Sequence, residues 1–121
     1  MDLTRYTRQM DKVAHAAGDT IFSKGDDGTT MFVIVEGEVE IAYDEGRSVR
    51  LGAGESFGEM ALIDKRPRSA TATAVTDVTL AKVSQGTFLV LVQDTPYFAL
   101  EVMQSLSDRL RKANEMGAVE G

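Results

Sequence analysis

The chain has no cysteine and a single histidine, His15, among its 121 residues. Without cysteine it has no disulfide framework, no thiolate zinc site, no cysteine-ligated iron–sulfur cluster and no cysteine nucleophile. A single histidine disfavours histidine-rich metal hydrolases and serine–histidine catalysis. The composition still allows a magnesium or calcium site built from carboxylates. We interpret His15, at the edge of an early strand, as a half-exposed strand residue rather than a ligand, and we expect no metal.

Positive charge and long apolar runs are also scarce. The chain carries 13 lysines and arginines against 19 aspartates and glutamates, a net charge of −6. A bare nucleic-acid-binding domain needs a basic face, so this balance disfavours one. No 18 apolar residues follow one another, and the first ten residues contain no run like that of a secretory signal. We therefore expect no membrane span, a cytoplasmic location and, at this length with 43% apolar residues, a single domain with no room for another.

Glycine is distributed unevenly, since eight of the 11 lie between Gly18 and Gly58. Between them lie short runs of β-branched and aromatic residues closed by turn signals, which predict strands. In EVEIAY the residues Val39, Ile41 and Tyr43 lie on one face of the strand and Glu38 and Glu40 on the other. We therefore expect the first face to pack against the core and the second to be exposed to solvent. The predicted strands are DTIF, TMFVIV, EVEIAY and SVRL, followed by residues 70–75 and 78–83.

The pattern becomes helical after residue 83. Ser84 is expected to cap one helix that ends before Pro96, and Thr95 a longer one that runs to about Asn114. An apolar stripe with 4, 3, 4, 3 spacing favours packing as core or lid, with dimerisation as the alternative. The stripe consists of Ala99, Met103, Leu106, Leu110 and Ala113. We expect a mainly β fold with α: an antiparallel, jelly-roll-like β-roll of about eight short strands, an N-terminal helical segment and two C-terminal helices.

Residues 51–74 follow neither the strand period nor the helix period. Gly58 allows close approach to a ligand and opens a short helical turn, Met60 to Ile63. Pro67 precedes Arg68, whose planar fork of donors suits bidentate recognition of a phosphate, and Ser69 adds a hydroxyl. Glu59 is able to accept from paired sugar hydroxyls, so a ligand that carries both a sugar and a phosphate explains an acid and a base in one loop. Lys65 and Arg66, beside them, are interpreted as solvated loop charges.

The run FGEMALIDKRPRSATATA resembles the phosphate-binding cassette of cyclic nucleotide-binding domains, whose pattern is F-G-E, small or apolar residues, a spacer, and then P-R, a small residue, A and T or S. The upstream run GDTIFSKGDDGTTMFVIVEGEVEI is similar to the strands that open the β-roll of this family. The resemblance covers about residues 18–110. It implies one cyclic nucleotide-binding domain over 1–121, with the β-roll at about 12–83, the cassette at 57–71 and lid or dimer helices at 84–114.

The resemblance also implies roles for individual residues. Glu59 accepts the ribose 2′-hydroxyl, Arg68 clamps the phosphate, and backbone N–H groups of Gly58, Ser69 and Ala70 complete the cage. Phe57 and Met60 belong to the same cassette. The purine lies against strand residues that include Val39, Ile41, Val49 and Leu51, and Asn114 is in a position to meet an adenine edge.

These features predict a cyclic nucleotide sensor that is not an enzyme: binding moves the C-terminal helices, and no bond is made or broken. Ser69 leans to cyclic AMP over cyclic GMP, because threonine at this position often accompanies guanine selectivity in the family. Possible partners besides the nucleotide are an effector protein or a second copy through helix 96–114, with no nucleic acid bound directly and no cofactor. The alternatives are the sensor half of a Crp-like regulator without its DNA-binding domain, a fragment of a channel or kinase, a cupin-type enzyme, or a degenerate domain that binds no nucleotide.

Overall fold

The computed structural model describes residues 2–64 and 66–115, and for residues 113–115 it describes the backbone alone. Leu3 is fully buried and precedes a 3-10 turn, Thr4–Tyr6, which is the predicted N-terminal helical segment. Eight strands and three α-helices follow. In chain order they are β1 (Lys12–His15), β2 (Thr20–Phe22), β3 (Thr30–Glu36), β4 (Val39–Asp44), β5 (Arg47–Leu51), β6 (Ser56–Phe57), α1 (Met60–Ile63), β7 (Thr71–Ala74), β8 (Val78–Ser84), α2 (Gln85–Asp94) and α3 (Tyr97–Glu115).

The strands form two four-stranded sheets in which every paired neighbour is antiparallel. Their orders are β1-β8-β3-β6 and β2-β7-β4-β5. In the second sheet Ile41 of β4 lies opposite Val49 on one side and Ala72 on the other, so its apolar face is continuous across three strands. The predicted antiparallel roll is confirmed, as are the alternation along β4 and the half-buried place of His15 in β1.

Strand β3 is buried on both faces, which explains its continuous apolar run, and β8 also contributes buried residues to both faces, although it contains Thr79 and an exposed Lys82. Ile34 and Leu80 point into the core between the sheets, whereas Val33 and Val83 point to a second core. The second core also contains Leu3, Phe98 and Val102. The N-terminal turn and the C-terminal helices therefore pack on the outer face of one sheet and leave the edge near β4 and β5 for a cavity.

The helices begin close to where the sequence predicts. Ser84 caps α2, because its hydroxyl accepts a hydrogen bond from the backbone N–H of Thr87 at 3.1 Å. The helix α3 begins at Tyr97, directly after Pro96. The helical turn expected at Met60 to Ile63 is α1.

The face of α3 that packs on the roll coincides only in part with the predicted apolar stripe. The most buried residues of α3 are Phe98, Val102 and Ser105. Of the predicted stripe, Leu106 packs partly against the second core, whereas Met103 and Leu110 are 55% and 60% exposed. Core packing of Met103 and Leu110 is therefore wrong. The most buried face is rotated from the predicted stripe by about one residue, or 100°. It includes the polar Ser105, which a search for regularly spaced apolar residues does not detect. Ala113 lies among the residues whose side chains are outside the described part of the chain.

Candidate ligand-binding site

A concave site lies where the loop between β6 and β7 faces the sheet that contains β4. This first cavity, of about 560 Å³ including space open to solvent, is called here the cassette cavity. Strand residues form one wall and the segment Phe57–Ala61 with Arg66–Ala70 forms the other. Its lining residues are Phe22, Ile41, Tyr43, Phe57, Gly58, Glu59, Met60, Ala61, Arg66, Pro67, Arg68, Ser69, Ala70 and Arg109.

Arg68 is buried at this cavity, with only 9% of the residue exposed. Its Nη2 donates to the carbonyl of Thr30 at 2.8 Å and its Nη1 to the carbonyl of Gly58 at 3.2 Å, while the guanidinium carbon lies 4.1 Å from the centroid of the Phe22 ring. Burial lowers the pKa of the Arg68 guanidinium from its ordinary value, and the charges of Asp26 and Glu59 oppose that shift. The cation thus sits in a partly desolvated place, held by neutral groups.

Arg68 has no carboxylate partner among the residues that the structure describes. None of the salt bridges there includes it, and its Nε is buried without a hydrogen-bond acceptor. Buried charges in proteins are ordinarily paired, because an isolated one loses its hydration without compensation. A cation in this state at a cavity wall is suited to bind an anion that comes from outside the chain.

Glu59 lies at the start of α1 and is 8% exposed. Its Oε1 accepts from Nη1 of Arg109 at 3.2 Å, and Arg109 also donates to the carbonyl of Ser56. The other oxygen, Oε2, is buried and has no hydrogen-bond partner among the described residues. The site therefore contains a negatively charged hydrogen-bond acceptor that is available to a hydroxyl donor.

A second cavity, of about 1150 Å³ including space open to solvent, lies between β5 and α3 and is called here the strand–helix cavity. Val49 and Leu51 line it from the sheet, and Ser105 and Asp108 line it from the helix. Arg109 lines both cavities, so its side chain stands at their junction. The strand–helix cavity combines the apolar side chains of Val49 and Leu51 with a lining that is otherwise mostly polar or charged.

The structure brings the predicted cassette residues to one place. All seven of them, Phe57, Gly58, Glu59, Met60, Arg68, Ser69 and Ala70, line the cassette cavity. Phe57 is also part of the core, because its ring stacks on Phe32 with centroids 5.3 Å apart and it is 1% exposed. Met60 is 52% exposed at the cavity wall.

The remaining predicted residues lie in several places. Of the strand residues expected to meet the purine, Val49 and Leu51 line the strand–helix cavity and Ile41 lines the cassette cavity, whereas Val39 is fully buried in the core and lines neither. Arg66 is exposed, in agreement with a solvated loop charge, although it borders the cassette cavity. The side chain of Asn114, and Lys65 as a whole, lie outside the described residues.

Two site residues were missed by the sequence reasoning. Arg109 lies 50 residues from its partner Glu59, and on the sequence it is one basic residue in a helix that is rich in charge. Phe22 ends a three-residue strand and looks like any core aromatic. Its position under Arg68 depends on the pairing of β2 with β7, which no local pattern encodes.

A comparison with protein families shows the family of the chain. The model of the family described as the cyclic nucleotide-binding domain matches residues 12–95 of the chain. The chain belongs to the cyclic nucleotide-binding domain family. This is the family that the residues of the cassette indicate.

Relatives with curated descriptions match this chain over part of longer sequences. A cyclic nucleotide-gated potassium channel of Rhizobium etli is 43% identical over 93 residues, which cover 77% of this chain and 26% of the channel. A CRP-like cAMP-activated global transcriptional regulator of Mycobacterium tuberculosis is 29% identical over 113 residues, 89% of this chain and 50% of the regulator. This chain therefore spans between about a quarter and a half of the length of these relatives.

Solved structures agree with the family. The catabolite activator protein of Thermus thermophilus superposes with a TM-score of 0.77 at 31% identity, over 98% of this chain and 57% of that one. A cyclic nucleotide-binding domain from Methylobacillus flagellatus gives a TM-score of 0.75 at 26% identity, over 93% and 68% of the two chains. The cyclic nucleotide-binding fold therefore extends over nearly the whole of the described chain.

Within the described residues, no helix is long and apolar enough to cross a membrane. The cytoplasmic location expected from the sequence stays a prediction.

Proposed function

We propose that this chain is a sensor of 3′,5′-cyclic nucleotides that binds cyclic AMP in preference to cyclic GMP and transmits occupancy to α2 and α3 without making or breaking a bond. The observation that carries the proposal is the buried guanidinium of Arg68, which has no ion-pair partner among the described residues. A cyclic nucleotide supplies one negative charge as a phosphate diester. One charge on the ligand matches one uncompensated charge in the site.

The rest of the nucleotide follows from the neighbours of Arg68. Oε2 of Glu59 is a free acceptor for the ribose 2′-hydroxyl, and the ring of a purine fits the apolar wall of Val49 and Leu51 in the strand–helix cavity. The division of the chain into a roll at 12–83, a cassette at 57–71 and lid helices at 84–114 is part of the same proposal.

Two contacts support coupling between the nucleotide and the helices. Arg109 of α3 is paired with Glu59, so a ligand that engages Glu59 acts directly on a group of the last helix. Gln85, the first residue of α2, donates to the carbonyl of Leu62 in α1 at 3.0 Å, which ties the cassette to the first of the two helices. A ligand that prefers one helix arrangement by about 1–3 kcal/mol is sufficient for a switch.

Competitive displacement of a fluorescent cyclic nucleotide from the intact chain tests the proposal. We expect cyclic AMP to compete at the lowest concentration, cyclic GMP at a higher one, and 5′-AMP only weakly, because its phosphate carries more charge and is not tied to the 3′-oxygen. Equal competition by 5′-AMP would remove the claim of specificity for cyclic nucleotides. A lower concentration for cyclic GMP than for cyclic AMP would reverse the proposed preference.

A second candidate function, the dimerising sensor half of a Crp-like regulator, is favoured by one observation. Leu100, Met103 and Leu110 of α3 are each at least 55% exposed and lie on the outer side of the helix, away from the roll. Apolar side chains at this spacing suit a parallel helix from a second copy. An effector protein that covers the same face is the other possible partner.

We expect the chain to dimerise through this face and Met103→Glu with Leu110→Glu to abolish the dimer, because each substitution places a charge in the apolar contact. Analytical ultracentrifugation over a range of concentrations measures this. Gln9→Glu, which adds a charge at an exposed residue outside α3, is the control and is expected to stay dimeric. A wild-type chain that sediments as a monomer at every concentration would contradict the dimer.

A further inference from the structure

The turn between β2 and β3, which lies outside the cassette, makes close contact with Arg68. The backbone N–H of Gly25 donates to the carbonyl of Arg68 at 2.8 Å, and the N–H of Arg68 donates to the carbonyl of Asp26 at 2.8 Å. The main chain of Arg68 is thus fixed to this turn through both its N–H and its carbonyl group. The side chain then continues along the same turn to Gly28.

Gly28 is a glycine for reasons of space. A Cβ built on it would lie 2.5 Å from both Nε and Nη2 of Arg68 and 2.6 Å from Cζ, well inside van der Waals contact. Its φ lies outside the left-handed region, so its backbone conformation is open to any residue. In Gly25, three residues earlier, the situation is reversed: φ is +93° and nothing lies within 4 Å of an added Cβ. Arg68 therefore accounts for the glycine at position 28.

Four residues surround the guanidinium, and they are called here the arginine berth: Phe22, Gly28, Thr30 and Gly58. Phe22 contributes the aromatic ring 4.1 Å from Cζ, and Thr30 and Gly58 contribute carbonyl acceptors. These carbonyls engage two of the five N–H donors of the arginine. The berth holds the plane of the guanidinium while it leaves donors for a ligand.

We propose that Gly28 is a positioning residue for phosphate recognition, because only a residue without a side chain lets the guanidinium of Arg68 lie in the berth. The proposal rests on the proposed function, in which Arg68 binds the phosphate. Any side chain at position 28 displaces the guanidinium from Phe22 and from the carbonyl of Thr30. The donors that remain then no longer point to the place where the rest of the site holds the nucleotide.

The first test needs no ligand. Nuclear magnetic resonance of the Arg68 Nε–H group, assigned by its loss in Arg68→Lys, reports the position of the guanidinium, because the Phe22 ring shifts nearby resonances. We expect Gly28→Ala to move this signal. Phe22→Leu adds no volume and is also expected to move it, so the berth stays testable if Gly28→Ala fails to fold. An unchanged Arg68 signal in a folded Gly28→Ala variant would overturn the berth.

The second test is a double-substitution cycle with fluorescent cyclic AMP as the probe. We expect Gly28→Ala to weaken binding about tenfold or more in the wild-type background and less than about twofold when Arg68 is already lysine. Gly86→Ala is the matched control, since Gly86 also has an ordinary φ and no atom nearer than 3.9 Å to an added Cβ. It is expected to leave affinity unchanged in both backgrounds.

The outcomes separate the two proposals. An equal loss of affinity from Gly28→Ala in both backgrounds indicates a general structural role and overturns the positioning role. A wild-type chain that binds no cyclic nucleotide, together with a Gly28→Ala variant that moves the Arg68 signal, refutes the proposed function and with it the phosphate role of Gly28, while the packing of Gly28 against Arg68 stands.

Discussion

Replacement of Arg68 by lysine is expected to weaken cyclic nucleotide binding by about tenfold or more. The two terminal nitrogens of Arg68 each hold a backbone carbonyl, of Thr30 and of Gly58, and still carry further N–H groups. The single amino nitrogen of lysine cannot bond both carbonyls and the phosphate in the same geometry, and lysine lacks the planar guanidinium needed for bidentate binding. The loss of one charge-assisted hydrogen bond, about 1.5–3 kcal/mol, corresponds to about ten- to a hundredfold in the dissociation constant.

Titration calorimetry with cyclic AMP on the wild-type and Arg68→Lys chains measures this loss. Arg8→Lys is the matched control, because Arg8 is exposed and lines neither cavity. We expect the control to bind as the wild type does. Equal affinity in Arg68→Lys and wild type would contradict the assignment of the phosphate to Arg68.

Replacement of Glu59 by alanine is expected to remove the ability of the site to recognise the ribose 2′-hydroxyl. In the wild type, 2′-deoxy cyclic AMP should bind about tenfold or more weakly than cyclic AMP, because Oε2 of Glu59 loses its donor and stays buried and unpaired. In Glu59→Ala that acceptor is gone, so the two ligands should bind with nearly equal affinity. Binding of cyclic AMP itself should also fall, by about the same factor.

The ratio of the two affinities is the quantity to measure, by displacement of a fluorescent cyclic nucleotide. Glu59→Ala also breaks the ion pair with Arg109, but that loss affects both ligands alike and cancels in the ratio. Glu45→Ala, in the exposed turn after β4, should keep the wild-type ratio. A preference for cyclic AMP over its 2′-deoxy form that survives in Glu59→Ala would show that another group accepts the 2′-hydroxyl.

The cassette could be predicted from sequence because its parts are close together in the chain. Gly58, Glu59 and Arg68 lie within 11 residues, and Gly58 has a positive φ of 78° and a Cβ position 2.9 Å from Nη1 of Arg68. Local geometry and residue type are therefore linked there. Six of the eight strands, β2 to β5 with β7 and β8, were predictable for a similar reason, since each of these is a short run with its own turn signals.

The rest of the site depends on contacts between distant parts of the chain. Arg109 reaches Glu59 because α3 packs through Phe98 and Val102, and the predicted stripe placed a different face of that helix on the roll. Strand β6 has only two residues and pairs with β3 at Phe32 and Val33, which leaves no periodic pattern to detect. Gly28 looks like an ordinary turn glycine until the side chain of Arg68 is placed beside it.

A crystal structure of the chain with cyclic AMP tests the central claim most directly, because it measures where the phosphate and the ribose lie. We expect a phosphate oxygen at about 2.7–3.2 Å from a guanidinium nitrogen of Arg68 and the ribose 2′-oxygen at about 2.5–3.0 Å from a carboxylate oxygen of Glu59, with the purine against Val49 and Leu51. A nucleotide bound elsewhere, with Arg68 still bonded to protein carbonyls alone and Oε2 of Glu59 still unpaired, would contradict the claim.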